Sequence, residues 1–200
     1  MKNNKLFCIL GKSGAGKTTV ADSVSRYTNT PLVVTSTSRP IREGEINGVD
    51  YFFRSRKELV DLHKQGLLAE YNIYNNWLYA TEVSQVDLSN SSKIIVVDIN
   101  GYEQLKNVVG EENVVGIYLS VSDKERLLRA LNREDKPNCG EICRRFMSDK
   151  DLFKPLEQRK ENLNFYKVKN NGNIGQTIKK VCNIIHKFNG EGVECFGGRA

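Results

Sequence analysis

Residues 5–19 read KLFCILGKSGAGKTT, an apolar run that passes directly into a glycine-rich loop. The run KLFCIL has the length and composition of a short buried strand. The residues that follow the loop, VADSVSRY, carry their apolar side chains at helical spacing. This stretch therefore predicts a strand, a glycine loop and a helix in direct succession.

The loop fills the pattern G-x-x-x-x-G-K-[S/T]. When such a loop follows a strand and opens a helix, its backbone N–H groups and the helix N-terminus converge on phosphate groups. We expect Lys17 to contact the β- and γ-phosphates of a nucleoside triphosphate and the Thr18 hydroxyl to bind Mg²⁺. The residues expected to bind this triphosphate are Gly11, Lys12, Ser13, Gly14, Ala15, Gly16, Lys17, Thr18 and Thr19.

Beyond the loop, apolar runs alternate with charged amphipathic segments. The expected strands are PLVVTSTS at 31–38, KIIVVDI at 93–99, VVGIYLS at 114–120 and FYKVKN at 165–170, with a hairpin in LAEYNIYNNWLYAT at 68–81. The expected helices are 55–68, 123–135, 141–155 and 175–188. KIIVVDI has the composition of a central parallel strand that is buried on both faces. The alternation predicts an α/β fold with a parallel sheet and helices on both faces.

Composition limits the alternatives. Two hundred residues with 39% hydrophobic content are enough for one domain. No apolar run approaches the roughly 18 residues of a membrane span, and the apolar part of MKNNKLFCIL is too short for a signal peptide. We therefore expect a cytoplasmic protein with no membrane partner. The net charge is +6, but the basic residues are interleaved with 24 acidic residues along the chain. This pattern favours a polyphosphate ligand over nucleic acid.

The five cysteines, at 8, 139, 143, 182 and 195, lack the paired spacing of a zinc ribbon or a disulfide framework. Reduced thiols are therefore expected. Cys139 and Cys143 are spaced to share one helix face as half of a metal site, but no second pair or nearby histidine completes it.

A second candidate site follows in VTSTSRPIREGEINGVDYFF at 34–53. Arg39 and Arg42 are suited to clamping a phosphate group bidentately, and the Tyr51 hydroxyl can add a third contact. The segment resembles the guanylate kinase family, whose acceptor motif is a Ser/Thr-rich strand end followed by R-x-x-R and G-E-x-x-G-x-x-Y-x-F. The matching residues are Arg39, Arg42, Gly44, Glu45, Gly48, Tyr51 and Phe53.

The resemblance continues in the segment that would read the base. The family has an acid that reads guanine and, nine residues later, a tyrosine in Y-G-[S/T]; here these are Glu70 and Tyr79. A carboxylate can accept hydrogen bonds from guanine N1–H and the 2-amino group together, which adenine does not offer. The acceptor nucleotide-binding residues that the resemblance implies are Thr35, Arg39, Arg42, Tyr51, Glu70, Tyr79, Thr81, Asp98 and Asn100.

The family motif D-I-D-x-Q-G appears here as Asp98, Ile99, Asn100 and Gly101. Asp98 is a candidate ligand of Mg²⁺, directly or through water, or else a residue that only forms the turn after its strand. Asn100 replaces the family's second aspartate, and Ala80 replaces the glycine after the tyrosine. These departures leave open a nucleotide kinase of the same fold with altered base choice or a preference for deoxynucleotides.

An arginine-rich segment is expected to form a lid. Arg129 and Arg133 match the family's R-L-x-x-R, and either Arg144 or Arg145 matches the arginine on the next helix. Guanidinium groups of a closed lid can neutralise the charge that builds on the transferred phosphoryl group. The catalytic residues that the resemblance implies are Lys17, Arg39, Arg133, Arg144 and Arg145, and the further ATP-binding residues are Arg129 and Asn170.

The resemblance extends from about Lys5 to Ile185 and implies a P-loop NTPase fold with a small mixed β lobe and a helical lid. It implies one domain at 1–187, followed by a flexible tail at 188–200. Within the domain we expect a core at 1–34 and 93–187, an acceptor lobe at about 35–85 and a lid at about 126–150.

The function implied is the phosphorylation of GMP or dGMP by ATP, with Mg²⁺ as cofactor, in a monomer or a homodimer. A non-catalytic guanylate-kinase-like binding module is an alternative, but such modules tend to lose the phosphate loop, which is complete here. A switch GTPase is a weaker alternative. Asp98 and Gly101 fit its D-x-x-G pattern, but its N-K-x-D guanine signature does not occur.

Overall fold

The computed structural model describes residues 4–133 and 135–190. The described strands are β1 (Leu6–Leu10), β2 (Ser36–Thr37), β3 (Phe52–Phe53), β4 (Leu68–Tyr74), β5 (Trp77–Glu82), β6 (Lys93–Val96), β7 (Val114–Ser120) and β8 (Phe165–Lys169). The described helices are α1 (Lys17–Thr28), α2 (Arg56–Lys64), α3 (Ile99–Val109), α4 (Asp123–Leu131), α5 (Cys139–Leu152), α6 (Lys154–Gln158) and α7 (Ile174–Asn189), with 3₁₀ helices at Val83–Val86 and Glu111–Asn113.

The main sheet is parallel and has the strand order β6-β1-β7-β8. Leu6 of β1 pairs with Lys93 on one side and with Val114 on the other. Side chains alternate between the two faces of a strand. Accordingly Cys8 packs in a cluster with residues of α3, whereas Ile9 packs in a second cluster with residues of α1 and α7. The predicted α/β class, a parallel sheet flanked by helices, is confirmed.

A second, mixed sheet has the strand order β3-β2-β5-β4. β2 runs parallel to β3 and antiparallel to β5, and β4 and β5 form the predicted hairpin. The hairpin turns at Asn75 and Asn76, whose φ angles of 48° and 68° are typical of a type I′ turn. α2 covers this sheet, where Leu59 packs against Leu78 and Ala80. All four strands of this second sheet thus come from the part of the chain between α1 and β6.

Two predicted strands differ from the observed ones. The segment 31–38 divides between the sheets, because Leu32 bridges to Ile94 of β6 and only β2 belongs to the second sheet. KIIVVDI is not a central strand, since β6 lies at one edge of the four-stranded sheet, where Leu32 adds a single bridge. An apolar run indicates that both faces of a strand are buried. An edge strand that is covered on both faces has the same composition, so the run does not distinguish it from a central strand.

Two helices are interrupted where amphipathic spacing predicts continuity. α2 ends two residues before Gly66, whose φ of 69° is typical of a residue that terminates a helix. The segment 141–155 breaks between α5 and α6 at Phe153. Pro155 lies in the first turn of α6, where the lack of an N–H group costs nothing.

Two other helices end elsewhere than predicted. α4 ends at Leu131 rather than at 135. α7 continues to Asn189, so residues 188 and 189 belong to the helix and not to the predicted tail, while 191–200 lie outside the described residues. Within the described part of the chain, no helix combines the length and apolar composition that crossing a membrane requires.

Candidate active site

The glycine loop lies between the carboxyl end of β1 and the first turn of α1. Gly14 and Gly16 have φ angles of 78° and 81°, which glycine adopts without a steric penalty. A Cβ atom on Gly14 would lie 2.5 Å from the backbone carbonyl oxygen of Arg126 on α4. The loop is therefore a backbone cradle that packs closely against α4 and has no room for a side chain at this point.

Lys17 is the lysine at the end of this loop, whereas Lys12 pairs with Glu157 of α6 at 2.6 Å. The Nζ of Lys17 donates a hydrogen bond to the Gly11 carbonyl oxygen at 2.7 Å. Burial lowers the pKa of Lys17 to about 8. The carboxylates of Asp149 and Asp98 oppose this effect, and the Arg145 guanidinium reinforces it. Lys17 therefore lies within electrostatic reach of charged groups on α5 and at the start of α3.

Two residues outside the loop hold its backbone. The buried side chain of Asn170 donates to the Ala15 carbonyl oxygen at 2.8 Å and accepts from the Thr177 hydroxyl at 2.9 Å. Arg129 donates to the Asn170 carbonyl oxygen at 2.9 Å and pairs with Glu125 on its own helix. Arg129 and Asn170, which the family resemblance assigns to ATP, thus lie beside the loop, and the Asn170 amide supports the loop backbone.

A buried ion pair connects the loop to α4 and α5. Asp149 accepts from the Ser13 backbone N–H at 2.7 Å and from Arg126 Nη1 at 3.0 Å. Arg126 is 2% exposed, pairs also with Asp123, and lies 3.9 Å from the ring centroid of Phe146. The sequence places the Ser13 N–H among the phosphate donors, but here it is bonded to a carboxylate that a phosphate would have to displace.

A hydroxyl and a carboxylate form the candidate metal site. Thr18 is exposed in the first turn of α1. Asp98 caps α3 by accepting from the Gly101 N–H at 2.8 Å, and its other oxygen accepts a short hydrogen bond from the Asn72 amide. Asp98 therefore has a structural role directly after its strand, but as the N-terminal cap of a helix rather than in a turn. Its carboxylate also fits Mg²⁺ bound through water, because hard oxygen ligands suit this ion.

The two cysteines considered as half of a metal site, Cys139 and Cys143, are exposed on α5. Across residues 4–133 and 135–190, no group of three or more His, Cys, Asp or Glu side chains is placed to hold a metal ion. A metal at Thr18 and Asp98 would accordingly need oxygen atoms of the bound nucleotide as further ligands.

Arg39 is the buried member of the predicted acceptor-phosphate pocket. It is 7% exposed, forms a bidentate pair with Glu45 at 2.7 and 2.5 Å, and lies 4.9 Å from the ring centroid of Tyr51. Glu45 also accepts from the Arg42 backbone N–H at 2.9 Å, while the Arg42 side chain is exposed. One carboxylate thus holds Arg39 and the turn at Arg42 together, beside the ring of Tyr51.

Glu70, the predicted base-reading residue, is buried on β4. Its Oε1 accepts from the Thr81 hydroxyl at 2.6 Å across the β4–β5 pair. Burial raises the pKa of Glu70 to about 7; the Thr81 hydrogen bond opposes this shift and the charge of Asp98 adds to it. Its Oε2 lies on the side of Gly101, where an added Cβ would be 3.0 Å away. A buried carboxylate of this kind is suited to accept hydrogen bonds from the N–H groups of a base.

The remaining acceptor residues lie around these two pockets. The carbonyl oxygen of Thr35 accepts from the first residue of β3 at 2.9 Å. Tyr79 on β5 contacts the ring of Tyr51, with centroids 6.2 Å apart. Asn100 is exposed in the first turn of α3, and its side chain makes no hydrogen bond with the described residues. Among the described residues, no hydrogen bond therefore fixes the orientation of the Asn100 side chain.

Two of the predicted lid arginines lie together. Arg144 and Arg145 each donate through Nε to Glu141 of the same helix at 2.7 Å. Their guanidinium carbons lie 5.1 and 5.0 Å from the ring centroid of Tyr74 on β4. Arg133 is exposed beyond the end of α4 and forms no hydrogen bond or ion pair with the described residues. Within residues 4–133 and 135–190, Arg144 and Arg145 are thus held by hydrogen bonds, whereas Arg133 is not.

Several residues at the site escaped sequence reasoning: Asn72, Tyr74, Arg126, Glu141 and Asp149. Glu141 did have a local signal, because an acid three and four positions before two arginines can pair with both on a helix. Arg126 likewise pairs with Asp123 three positions before it, but the contacts of these residues between elements have no local signal. Arg126 and Asp149 are 23 positions apart, and Tyr74 and Glu141 are 67 positions apart, so only the tertiary structure joins them.

Known proteins resemble this chain over nearly its whole length. A family model described as guanylate kinase matches residues 3–188. A guanylate kinase of Fusobacterium nucleatum subsp. nucleatum is 32% identical over 92% of this chain and 97% of its own length, and one of Mycoplasma genitalium is 28% identical over 90% and 75%. A crystal structure of guanylate kinase from Anaplasma phagocytophilum shares the fold, with a TM-score of 0.66 and 23% identity over 94% of this chain and 88% of that one. The chain therefore belongs to the guanylate kinase family.

Proposed function

We propose that this protein transfers a phosphoryl group from ATP to GMP or dGMP, giving ADP and the guanosine or deoxyguanosine diphosphate. One observation carries the proposal: Asp98 Oδ1 and Glu70 Oε2 of the base pocket both lie beside Gly101 at the start of α3, and the charge of Asp98 also acts on Lys17 of the glycine loop. A triphosphate site and a base pocket on either side of one residue suit direct transfer between two bound nucleotides. Membership of the guanylate kinase family supports the same reaction.

The base pocket favours guanine as the acceptor base. Ionised Glu70 can accept hydrogen bonds from N1–H and the 2-amino group, and the Thr81 hydroxyl holds the carboxylate in place. Adenine lacks both donors. It would leave the buried carboxylate without partners, at a cost of about 1–3 kcal/mol or more for a charged group.

Catalysis in this proposal rests on positioning and charge neutralisation. Arg39, Arg42 and Tyr51 would bind the acceptor phosphate, and Lys17 and the lid arginines would neutralise charge on the transferred group. Mg²⁺, held by Thr18 and through water by Asp98, would offset the charge of the donor phosphates when bound. No protein nucleophile is needed, because the acceptor phosphate oxygen attacks the γ-phosphorus directly.

Turnover with each common nucleoside monophosphate and deoxynucleoside monophosphate tests the proposal. ADP formation from ATP would be followed at a fixed Mg²⁺ concentration. We expect kcat/KM for GMP and dGMP to exceed that for AMP, CMP and UMP by about 100-fold or more, because a hydrogen-bonding site discriminates strongly. A preference for AMP or a pyrimidine nucleotide would contradict the guanine assignment.

Lys17→Ala separates an enzyme from a non-catalytic binding module. We expect kcat to fall by about a thousandfold or more, since the residue faces the donor phosphates, while folding is retained. Lys180→Ala, on the exposed face of α7, is the matched control and should leave kcat unchanged. A wild-type chain that binds GMP but forms no product under any condition would favour the binding module.

A second candidate is a kinase of the same fold with a broader choice of base. It is favoured by the hydrogen bond between the Asn72 amide and Asp98, and by Asn100, which stands where the family has an aspartate. An amide can donate as well as accept, so it can contact purine groups that a carboxylate would repel. The same turnover series decides between the two, because comparable kcat/KM values for GMP and AMP would favour the second.

A further inference from the structure

A charged cluster joins α5 to the hairpin of the second sheet. It consists of Tyr74 on β4 and of Glu141, Arg144 and Arg145 on α5, and we call it the lid latch. The Tyr74 hydroxyl donates to Glu141 Oε1 at 2.5 Å and accepts from Arg144 Nη2 at 2.5 Å. The latch is therefore a polar contact between two parts of the chain that lie far apart in sequence.

Glu141 is the centre of the lid latch. It accepts from Arg144 Nε through Oε2 and from Arg145 Nε through Oε1, both at 2.7 Å. Without this carboxylate, two neighbouring guanidinium groups would meet at the Tyr74 ring uncompensated and repel each other. Hydrogen bonds from the other three members, Arg144 foremost, hold the pKa of Glu141 well below its usual range. Glu141 is thus ionised at neutral pH and orients both arginines.

Aromatic rings continue from the lid latch into the acceptor-phosphate pocket. The ring of Tyr74 contacts that of Tyr79 with centroids 6.5 Å apart, and Tyr79 contacts Tyr51 at 6.2 Å. Tyr51 in turn lies against the Arg39 guanidinium at 4.9 Å. Because edge-to-face ring pairs prefer a limited range of geometries, this row ties the seating of α5 to the pocket proposed for the acceptor phosphate.

The two arginines of the latch differ in their surroundings. Arg144 makes the direct hydrogen bond to Tyr74 and has a side chain that is 48% exposed. Arg145 has a side chain that is 38% exposed, and its charge acts on Lys17 of the glycine loop. Arg145 also lies one helical turn before Asp149, whose carboxylate accepts from the Ser13 N–H of the glycine loop, so Arg145 lies on the side of α5 that faces this loop. Arg144 instead serves the contact with the hairpin.

We propose that Glu141 is the positioning residue for Arg145, and that the Tyr74 hydroxyl fixes this arrangement to the acceptor side of the site. This inference rests on the proposed phosphoryl transfer. Arg145 then reaches the transferred group only while α5 is seated on the hairpin. If the lid latch only stabilised the fold, its loss would change kcat little. Exposed ion pairs within one helix contribute almost nothing measurable to the free energy of unfolding.

Two conservative substitutions and their double variant test the proposal. We expect Glu141→Gln, which keeps the shape but removes the charge, to lower kcat about tenfold with the KM of each nucleotide within about twofold. We expect Tyr74→Phe, which removes only the hydroxyl, to lower kcat about threefold. The double variant should be no slower than Glu141→Gln alone, since both act through one contact. Glu103→Gln removes an i,i+3 pair with Lys106 on α3 and should leave kcat unchanged.

Unchanged kcat in Glu141→Gln, or losses that multiply in the double variant, would overturn the lid latch while leaving the proposed function intact. Failure of the wild-type chain to phosphorylate any monophosphate would instead remove the proposed function. Amide hydrogen exchange of the protein without nucleotide tests the lid latch whether or not the proposed function holds. We expect amide exchange to become faster in both segments, 72–79 and 139–146, in Glu141→Gln and in Tyr74→Phe but not in Glu103→Gln. Unchanged exchange in either segment would contradict the contact.

Discussion

The carboxyl group of Glu70 is buried and faces the negative charge of Asp98, which together raise its pKa to about 7. In the proposed base pocket, guanine binding requires the ionised form of Glu70, because only that form accepts from N1–H and the 2-amino group together. As the pH falls below about 7, a growing share of the unliganded protein carries a proton on Glu70 that must leave first. We therefore expect kcat/KM for GMP to fall about tenfold per pH unit below this pH and to level off above it, measured at saturating ATP so that the bound triphosphate keeps Lys17 protonated.

The phosphate of GMP also titrates, with a second pKa of about 6, and needs a control. Glu70→Gln retains the titration of the substrate but lacks that of the carboxyl group. The ratio of the two kcat/KM profiles should therefore be level above about pH 7 and fall about tenfold per pH unit below it. Identical profiles for both proteins would exclude Glu70 as the group that reads the base.

The same substitution tests how much stability the buried charge costs. The pKa of Glu70 is raised above its unfolded value, so the folded state holds this proton more tightly, and the penalty grows from about pH 4.5 to about 7. We expect Glu70→Gln to stabilise the protein by about 1–3 kcal/mol at pH 8 and by almost nothing at pH 4, while raising the KM for GMP at least about tenfold. Urea unfolding at the two pH values provides the measurement, with exposed Glu112→Gln as control.

At the scale of structural elements, the glycine loop requires glycine at position 14 for two reasons, a positive φ angle and a close approach to α4, and their costs can be measured separately. Gly14 and Gly44 both have positive φ angles, of 78° and 83°, but only Gly14 is crowded, by the Arg126 carbonyl oxygen. We expect Gly44→Ala to cost about 1–2 kcal/mol for the left-handed conformation alone. Gly14→Ala should cost clearly more and should lower ATP affinity. Equal losses in urea unfolding would show that the loop moves away from α4 at no cost.

The contact of α4 and α5 with the loop depends on Arg126, whose two carboxylate partners differ in exposure. The side chain of Asp149 is 14% exposed and that of Asp123 is 62% exposed. We expect Asp149→Ala to cost about 3–5 kcal/mol, since it leaves the buried guanidinium and the Ser13 N–H without this partner. Asp123→Ala should cost about 1 kcal/mol or less. Comparable losses for the two variants would mean that water replaces the Asp149 carboxylate.

At the scale of the whole molecule, the proposed donor site lies on the main sheet and the proposed acceptor site on the second sheet. A ligand that joins adenosine to guanosine through five phosphates should bridge them. By mass action, a hundredfold excess over Kd stabilises the folded state by about 2.7 kcal/mol, or roughly 5–10 °C in Tm for a chain of this size. We expect this shift to be lost in Lys17→Ala. An equal Tm shift with the corresponding ligand that joins two adenosines through five phosphates would contradict guanine selection.

Much of the fold was predictable from local patterns. The strand expected at 114–120 is β7, residue for residue, because an apolar run without turn residues has few alternatives when both of its faces are buried. The hairpin followed from two β-prone runs around Asn75 and Asn76. The place of β6 at the edge of its sheet was not predictable, because hydrophobicity reports burial and not the order of strands. The division of 31–38 between two sheets escaped for the same reason.

The sequence by itself determined the glycine loop, because the spacing from Gly11 to Thr18 and the neighbouring strand and helix act over a few residues. It also supplied Arg39, Arg42, Tyr51 and Glu70 through a family motif. Only the tertiary structure decided which groups meet across long separations. The bond between Asp149 and Ser13, the lid latch and the exposed position of Arg133 each depend on how α4 and α5 pack, and no local pattern encodes such contacts.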